Sequence, residues 1–160
     1  MLFRSAESVL VVPGAVDVAW DSSRGVASYR EVWERSSESL RELLPTARDF
    51  GVNIAIENVW NKFLLSPMEM KSYVDQFADP ALGVYFDTGN CMISGYPEHW
   101  IEILGKRVKA VHVKNFRRDN AGGTLAGFGD DLTGGDLDFA AVAAALKLHA
   151  PEAPLTVEMI

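Results

Sequence analysis

Five short apolar runs, rich in β-branched residues, alternate with helical segments along the chain. The runs occupy residues 9–12, 52–56, 82–86, 108–113 and 155–157. Each is largely apolar throughout instead of alternating with polar positions, which is typical of strands covered on both faces of a parallel sheet. The pattern therefore predicts an α/β protein with five parallel strands.

The segments between these runs carry helix signals. Helices are predicted at residues 28–50, 67–77, 97–104 and 138–149. The clearest start is Ser66-Pro67-Met68-Glu69, where serine caps, proline fits the first turn and glutamate completes a capping box. Pro45 is expected to end or kink the longest helix. Six glycines in residues 120–135 predict a long loop.

Repeated βα units are found in doubly wound sheets and in (β/α)8 barrels. A complete barrel needs about 250 residues, or about 30 for each unit. The 160 residues of this chain match about five such units, and residues 1–160 show no domain boundary. The arithmetic therefore fits five eighths of a barrel.

Composition excludes several classes of function. Hydrophobic residues make up 48% of the chain, and 15 basic against 22 acidic residues give a net charge of -7. This charge disfavours nucleic acids and anionic membranes as partners, and no apolar run is long enough to span a bilayer. The single cysteine, Cys91, and the lack of a signal peptide predict a reducing, cytoplasmic location.

Ligand-type residues stand at the ends of four predicted strands. They are Glu57, Asp87, His112 and Glu158, separated by 30, 25 and 46 residues. Because ligands bind beyond the carboxyl ends of parallel strands, these side chains are expected to converge. Three carboxylates and one imidazole suit one divalent ion of manganese, cobalt, magnesium or zinc.

Each of these residues also has an ordinary structural interpretation. Asp87, in Asp87-Thr-Gly-Asn90, can be a turn or cap residue. A glutamate at a strand end can simply be exposed, and His112 between two valines can be a hydrogen-bonded core residue. The repetition of ligand-type residues at equivalent positions favours a common site.

Four segments resemble one known family. They are Ile56-Glu57-Asn58, Tyr85-Phe86-Asp87-Thr-Gly-Asn90, Val111-His112-Val-Lys114-Asn115 and Val157-Glu158-Met159. Over about residues 8–159 they resemble strands four to eight of the sugar-phosphate isomerase/epimerase group of xylose isomerase-like TIM barrels, most closely the ketose 3-epimerases. The resemblance implies an incomplete TIM barrel that lacks the first three units and the last helix.

The resemblance also implies a mechanism. Glu57, Asp87, His112 and Glu158 would bind the metal, and Glu57 and Glu158 would move a proton of a sugar or sugar phosphate through a cis-enediolate. Epimerisation and aldose-ketose isomerisation share these residues. Asn90 stands where some relatives have histidine, which counts against tagatose-type epimerases and multi-zinc endonucleases. A polyol dehydratase and an inactive metal-binding fragment are the alternatives.

Six residues near the strand ends are candidates for substrate contact. They are Asn58, Trp60, Asn61, Asn90, Lys114 and Arg117. Lys114 should point to the same side as His112. Trp60 can form an aromatic wall of a sugar site. Arg117 lies near the start of the loop at residues 116–135, where many barrels bind phosphate. The alternatives are a solvated lysine, a core tryptophan, and loop arginines that pair with nearby aspartates.

An incomplete barrel would leave two sheet edges open. Unpaired backbone groups and apolar side chains would then face water. We therefore expect either a homo-oligomer whose copies pair their edges or a fragment that needs the missing strands.

Overall fold

The computed structural model describes residues 6–18, 21–118 and 124–159. The strands are β1 (Ser8–Val11), β2 (Asn53–Glu57), β3 (Leu82–Asp87), β4 (Val108–Val113) and β5 (Leu155–Val157). The helices are α1 (Tyr29–Phe50), α2 (Pro67–Asp75), α3 (Thr88–Cys91), α4 (Pro97–Leu104) and α5 (Phe139–His149). Short 3₁₀ turns lie at Ser22–Arg24, Gly105–Arg107 and Leu125–Gly127. The five strands predicted from the apolar runs are confirmed, each within one residue.

The five strands form one parallel sheet in the order β1-β2-β3-β4-β5. Each strand pairs with the next one in the chain, and helices lie between consecutive strands. This sequential order distinguishes a βα barrel from a doubly wound sheet, in which the strand order reverses. The structure is half of a barrel, as predicted.

The core lies between the sheet and its helices. Ile56, Val84, Phe86 and Val111 are fully buried. They alternate along their strands with residues that face the other side of the sheet, such as Ala55 and Glu57, because side chains two residues apart share a face. In each strand, the side chains that pack against the helices thus determine which alternate residues face the barrel interior.

Helix α1 corrects one expectation. Pro45 does not end it, because the helix continues through Pro45 to Phe50, and a kink at Pro45 stays a prediction. Leu44 and Ala47, on either side of the proline, are buried, so tertiary packing holds the helix there despite the missing N–H group. The helix ends at Gly51, which has a φ of 64°.

Other boundaries differ in smaller ways. Helix α2 ends at Asp75, two residues before the expected end, and the short helix α3 was not expected. The outer strands carry exposed apolar side chains, among them Val9 and Leu155. Among the described residues, no helix is both long and apolar enough to cross a membrane.

Candidate metal centre

Four side chains from the ends of four consecutive strands meet on one face of the sheet. They are Glu57, Asp87, His112 and Glu158. One ligand atom of each lies within 4.8 Å of the ligand atoms of the other three. Nδ1 of His112 lies 2.9 Å from Oε1 of Glu57, 3.9 Å from Oδ2 of Asp87 and 3.7 Å from Oε2 of Glu158. The cluster can hold a metal ion, and the structure brings together the four residues that the sequence singles out.

Strand register explains why these side chains share a face. Asp87 is the register partner of His112 on the neighbouring strand. His112 also pairs with Thr156, and Glu158 follows Thr156 by two residues. Glu57 is the last residue of β2, beside β3. Since residues two apart point the same way, the parallel pairing places all four ligand candidates at one edge.

Asp87 is the most deeply buried member of the cluster. Its Oδ1 accepts a hydrogen bond of 2.7 Å from the N–H group of Asn90 and caps α3. Among the described residues, its Oδ2 is the one fully buried side-chain oxygen or nitrogen without a hydrogen-bond partner. A buried carboxylate oxygen without a hydrogen bond is unfavourable, and the ammonium group of Lys114, 3.2 Å away, offsets part of its charge. A divalent cation would satisfy it, so the donor set fits a metal.

Asn58 and Asn90 join the ends of β2 and β3. The side chain of Asn58 accepts a hydrogen bond of 2.8 Å from the N–H group of Asp87 and donates one of 2.9 Å to its carbonyl oxygen. Nδ2 of Asn90 donates to the carbonyl oxygen of Asn58 over 2.9 Å. These bonds fix the backbone that carries Asp87. Contact of either asparagine with substrate stays a prediction.

Lys114 adds a positive charge to the cluster. Its Nζ lies 3.2 Å from Oδ2 of Asp87, outside hydrogen-bond geometry, and forms an ion pair with Oε2 of Glu158. Only 8% of the side chain is exposed. Lys114 therefore lies on the same side of β4 as His112, as its spacing predicts, and it is buried instead of solvated.

Burial and charge shift the pKa values of these groups. Burial raises the pKa of Asp87 to about 6, although Lys114 opposes the shift. Burial also raises the pKa of Glu57, against the hydrogen bond with His112. Burial acts the same way on Glu158, but the hydrogen bond and charge of Lys114 outweigh it and lower the pKa. The two glutamates thus differ in proton affinity, which suits a pair of proton-transfer groups.

Three aromatic rings pack together beside Lys114. Trp60 lies 5.5 Å from Phe116 and 5.1 Å from Phe128, measured between ring centroids. Nζ of Lys114 lies 5.0 Å from the centroid of Phe128. The indole N–H group of Trp60 donates to the carbonyl oxygen of Asn90 over 2.9 Å. This packing orients the three rings, and the role of Trp60 as a substrate wall stays a prediction.

Asn61 and Arg117 lie in the loops that follow β2 and β4. Asn61 is buried, and its Nδ2 donates to the carbonyl oxygen of Gly14 over 2.6 Å. Arg117 is exposed, and its Nε donates to the carbonyl oxygen of Gly134 over 3.1 Å. Both side chains hold loop segments together, and their contact with substrate stays a prediction. Residues 119–123 of the predicted phosphate loop lie outside the described residues.

Three further neighbours of the site were not identified from the sequence. The ring of Tyr85 lies 4.4 Å from that of His112, measured between centroids. Oγ1 of Thr88 donates to the carbonyl oxygen of Lys114 over 2.7 Å and accepts from its N–H group over 2.9 Å. A Cβ on Gly89 would lie 2.8 Å from Cγ of Lys114. The small residues Thr88 and Gly89 in the Asp87-Thr-Gly-Asn90 segment indicate that another part of the chain packs closely there. Spacing along the sequence does not show that this part is Lys114.

A comparison with family models gives a match over residues 5–160 to the xylose isomerase-like TIM barrel. The chain belongs to that family. The xylose isomerase-like fold explains the sequential parallel sheet, and it places the cluster at the carboxyl ends of the strands, where barrels of this kind carry their sites.

Individual members of the xylose isomerase-like family match more distantly. The 3-oxo-isoapionate decarboxylase of Pectobacterium atrosepticum is 28% identical over 91 residues, which are 56% of this chain and 32% of that protein. A solved D-tagatose 3-epimerase-like protein has a TM-score of 0.72 and 23% identity, and the match covers 96% of this chain and 55% of that one. The IOLI protein, solved with a zinc atom bound, has a TM-score of 0.71 and 18% identity over 96% of this chain and 54% of that one.

Each of these matches covers only part of the matched protein. The chain spans about a third of the curated relative and about half of each solved structure. At identities below 25%, the two structural likenesses show the fold alone.

Proposed function

We propose that this chain carries the metal centre and the proton-transfer groups of a divalent-metal-dependent isomerase or epimerase of sugars or sugar phosphates. The observation that carries the proposal is the convergence of four ligand atoms within 4.8 Å, in a cluster whose Asp87 has a buried carboxylate oxygen without a hydrogen-bond partner. The D-tagatose 3-epimerase-like protein among the structural neighbours supports a sugar as substrate.

In this proposal Glu57, Asp87, His112 and Glu158 hold the metal. When bound, a divalent cation would supply Lewis-acid stabilisation of the negative charge that develops when a ketose is deprotonated to a cis-enediolate. One of Glu57 and Glu158 removes the proton from the carbon beside the carbonyl, and the other glutamate returns a proton. If the proton leaves carbon 3 of a 2-ketose and returns to the opposite face of that carbon, the product is an epimer. If it leaves carbon 1 and returns to carbon 2, while the proton of the carbon 1 hydroxyl moves to the oxygen on carbon 2, the product is an aldose.

The unlike environments of the two glutamates support this division of labour. Glu57 has 10% of its side chain exposed and a raised pKa, so it holds a proton more readily. Glu158 has 38% exposed and a pKa lowered by Lys114, so it is ionised and accessible at neutral pH. This difference in burial and pKa suits a pair in which one glutamate removes a proton and the other returns one.

A second reaction is favoured by the similarity to 3-oxo-isoapionate decarboxylase. When a 3-oxo acid loses carbon dioxide, the electrons of the broken bond remain on the carbon beside the carbonyl. The developing charge is the same as after proton removal, and a glutamate then supplies the proton that replaces the carboxyl group. The cluster therefore serves decarboxylation of a 3-oxo sugar acid with one proton-transfer step instead of two.

Two measurements test the metal centre and separate these reactions. Elemental analysis of the purified chain should find about one divalent metal per chain, reduced in Asp87→Asn and unchanged in His99→Ala. His99 is exposed on α4 and serves as the control. The metal-loaded protein is then incubated with ketose phosphates in deuterated water and, separately, with 3-oxo sugar acids.

Each outcome has a defined meaning. Deuterium at the carbon beside the carbonyl supports isomerisation or epimerisation, whereas carbon dioxide release supports decarboxylation. Stoichiometric metal without either reaction would indicate a chain that binds metal but needs further barrel units for turnover. Absence of metal, even after incubation with manganese, cobalt and zinc, contradicts the proposal.

A further inference from the structure

We infer that the ammonium group of Lys114 competes with the metal for the carboxylates of Asp87 and Glu158. It pairs with both carboxylates in the metal-free protein and is displaced when the cation binds. This inference rests on the proposed metal centre and adds a residue that sets its affinity. Lys114 itself is not a metal ligand, because an ammonium group has no free lone pair.

The contacts of Lys114 are those of a cation in the metal position. Its Nζ reaches two of the four ligand candidates, Oδ2 of Asp87 at 3.2 Å and Oε2 of Glu158. The same two oxygens lie 3.9 Å and 3.7 Å from Nδ1 of His112. A divalent cation that binds these oxygens at about 2.0–2.6 Å would lie close to the ammonium group at its present position and repel it.

Charge gives the reason for a lysine at this place. Three carboxylates converge in a largely buried cluster, and their mutual repulsion is strong at such distances. Lys114 neutralises one charge when no metal is present. A divalent cation that enters the cluster meets this positive charge and is repelled by it. The lysine thus stabilises the metal-free cluster at the expense of metal affinity.

The residues around Lys114 leave room for its side chain and fix its backbone. Its stem passes Gly89 so closely that a Cβ there would lie 2.8 Å from Cγ, 3.0 Å from Cβ and 3.1 Å from Cδ of Lys114. Thr88 binds the N–H and carbonyl groups of Lys114, so the backbone is fixed independently of the ammonium group. The ring of Phe128 lies 5.0 Å from Nζ and already stabilises the ammonium group by a cation–π contact.

Metal affinity tests the competition directly. Mn²⁺ binding is measured by electron paramagnetic resonance in the wild type, Lys114→Met and Lys114→Arg. Methionine keeps an unbranched stem without the charge, and arginine keeps the charge. Lys114→Met should bind Mn²⁺ at least about tenfold more tightly than the wild type, whereas Lys114→Arg should show no tightening.

The opposite outcomes are distinct. Equal or weaker binding in Lys114→Met, with binding retained in the wild type, overturns the inference and leaves the metal centre intact. Absence of Mn²⁺ binding in all three proteins removes the metal centre, and the inference with it. Because Thr88 holds the backbone at Lys114, the methionine variant is expected to fold, which circular dichroism verifies.

A second measurement uses the wild-type protein. The side-chain ¹⁵N signal of Lys114, assigned by its loss in Lys114→Arg, is followed during titration with Mg²⁺. Displacement predicts a change in its chemical shift and faster exchange of its protons with water as Mg²⁺ saturates the site. A signal that stays unchanged at saturation overturns the inference, whatever the behaviour of the methionine variant.

Discussion

The side-chain amide of Asn58 binds both backbone groups of Asp87, accepting from its N–H group over 2.8 Å and donating to its carbonyl oxygen over 2.9 Å. Asn58 follows β2 directly, and Asp87 ends β3. The side-chain amide of Asn58 therefore takes the place of the next pair of backbone hydrogen bonds between β2 and β3, at the point where the two strands reach the cluster. The position of the most buried ligand candidate depends on a residue that does not itself belong to the cluster.

Asn58→Ala should reduce both metal affinity and stability. The substitution leaves the buried N–H and carbonyl groups of Asp87 without these partners, which costs about 1–3 kcal/mol in the free energy of unfolding. Asn53→Ala, at the other end of the same strand, is the matched control because Asn53 contacts Glu7 and Ser8, far from the cluster. Urea denaturation and Mn²⁺ titration measure the two effects. Equal losses of metal affinity in both variants would contradict a local role for Asn58.

Glu158→Gln should separate metal binding from proton transfer. Glutamine keeps an oxygen ligand but cannot accept the proton, so exchange of a ketose proton with solvent should fall by about 10²–10⁴-fold. Metal binding should weaken less than in His112→Ala, which removes a ligand atom outright. Isotope exchange and metal titration of both variants check this difference. Unchanged exchange in Glu158→Gln would rule out a mechanism with two glutamates.

Metal binding should weaken as the pH falls below about 6. Burial raises the pKa of Asp87 to about 6, against a usual value of 3.8, so below that pH the metal-free protein holds a proton there that the metal must displace. For one proton, the dissociation constant should rise about tenfold for each pH unit below 6. Burial raises the pKa of Glu57 as well, in the same direction. A dissociation constant that stays level from pH 7 to pH 5, measured with Mn²⁺, would contradict it.

Pro45→Ala should stabilise the protein. Pro45 is exposed in the C-terminal third of α1 and lacks the N–H group that would bond to the preceding turn. Alanine restores that bond, and we expect a gain of about 1–3 kcal/mol in the free energy of unfolding. Pro67→Ala, at the first position of α2 where proline is favourable, should bring no gain. Thermal unfolding of both variants tests the contrast, and a gain at Pro67 equal to that at Pro45 would speak against it.

Tyr29→Phe should loosen the loop between β2 and α2. The hydroxyl of Tyr29 donates to Glu69 and accepts from the N–H group of Leu64 over 3.1 Å. Leu64 has a φ of 57°, so the backbone held by this bond is strained for a residue with a side chain. We expect a loss of about 1–2 kcal/mol in chemical denaturation.

Tyr96→Phe is the control for this experiment. Tyr96 is exposed beside α4, and Arg118 packs over its ring instead of its hydroxyl. Its loss of stability should stay within about 0.5 kcal/mol. A loss as large as that of Tyr29→Phe would show that the Tyr29 hydroxyl has no special role.

The sheet and the four ligand candidates could be predicted from the sequence for one physical reason. Strands buried on both faces are apolar throughout, so the first charged residue marks both the end of the strand and the edge where sites form. Glu57 and Asp87 follow this rule directly. His112 lies inside its run, and Glu158 follows the shortest one, yet both reach the same edge because the strands pair in register.

Other features depend on tertiary contacts that spacing does not encode. Local rules end a helix at Pro45, but burial of the neighbouring Leu44 and Ala47 overrides them. Lys114 was expected near the site, but its two carboxylate partners come from other units of the fold. Phe128 reaches the site from a glycine-rich loop that shows no periodicity.

The four ligand candidates come from four different βα units, and this has a consequence for how the protein opens. A bound metal would act as a cross-link among segments that are far apart in the chain, and release of any one segment would break it. Local opening near the cluster would then require loss of the metal. Amide hydrogen exchange at the carboxyl ends of β2, β3, β4 and β5 should therefore slow together on metal addition, by a common factor that rises with metal concentration.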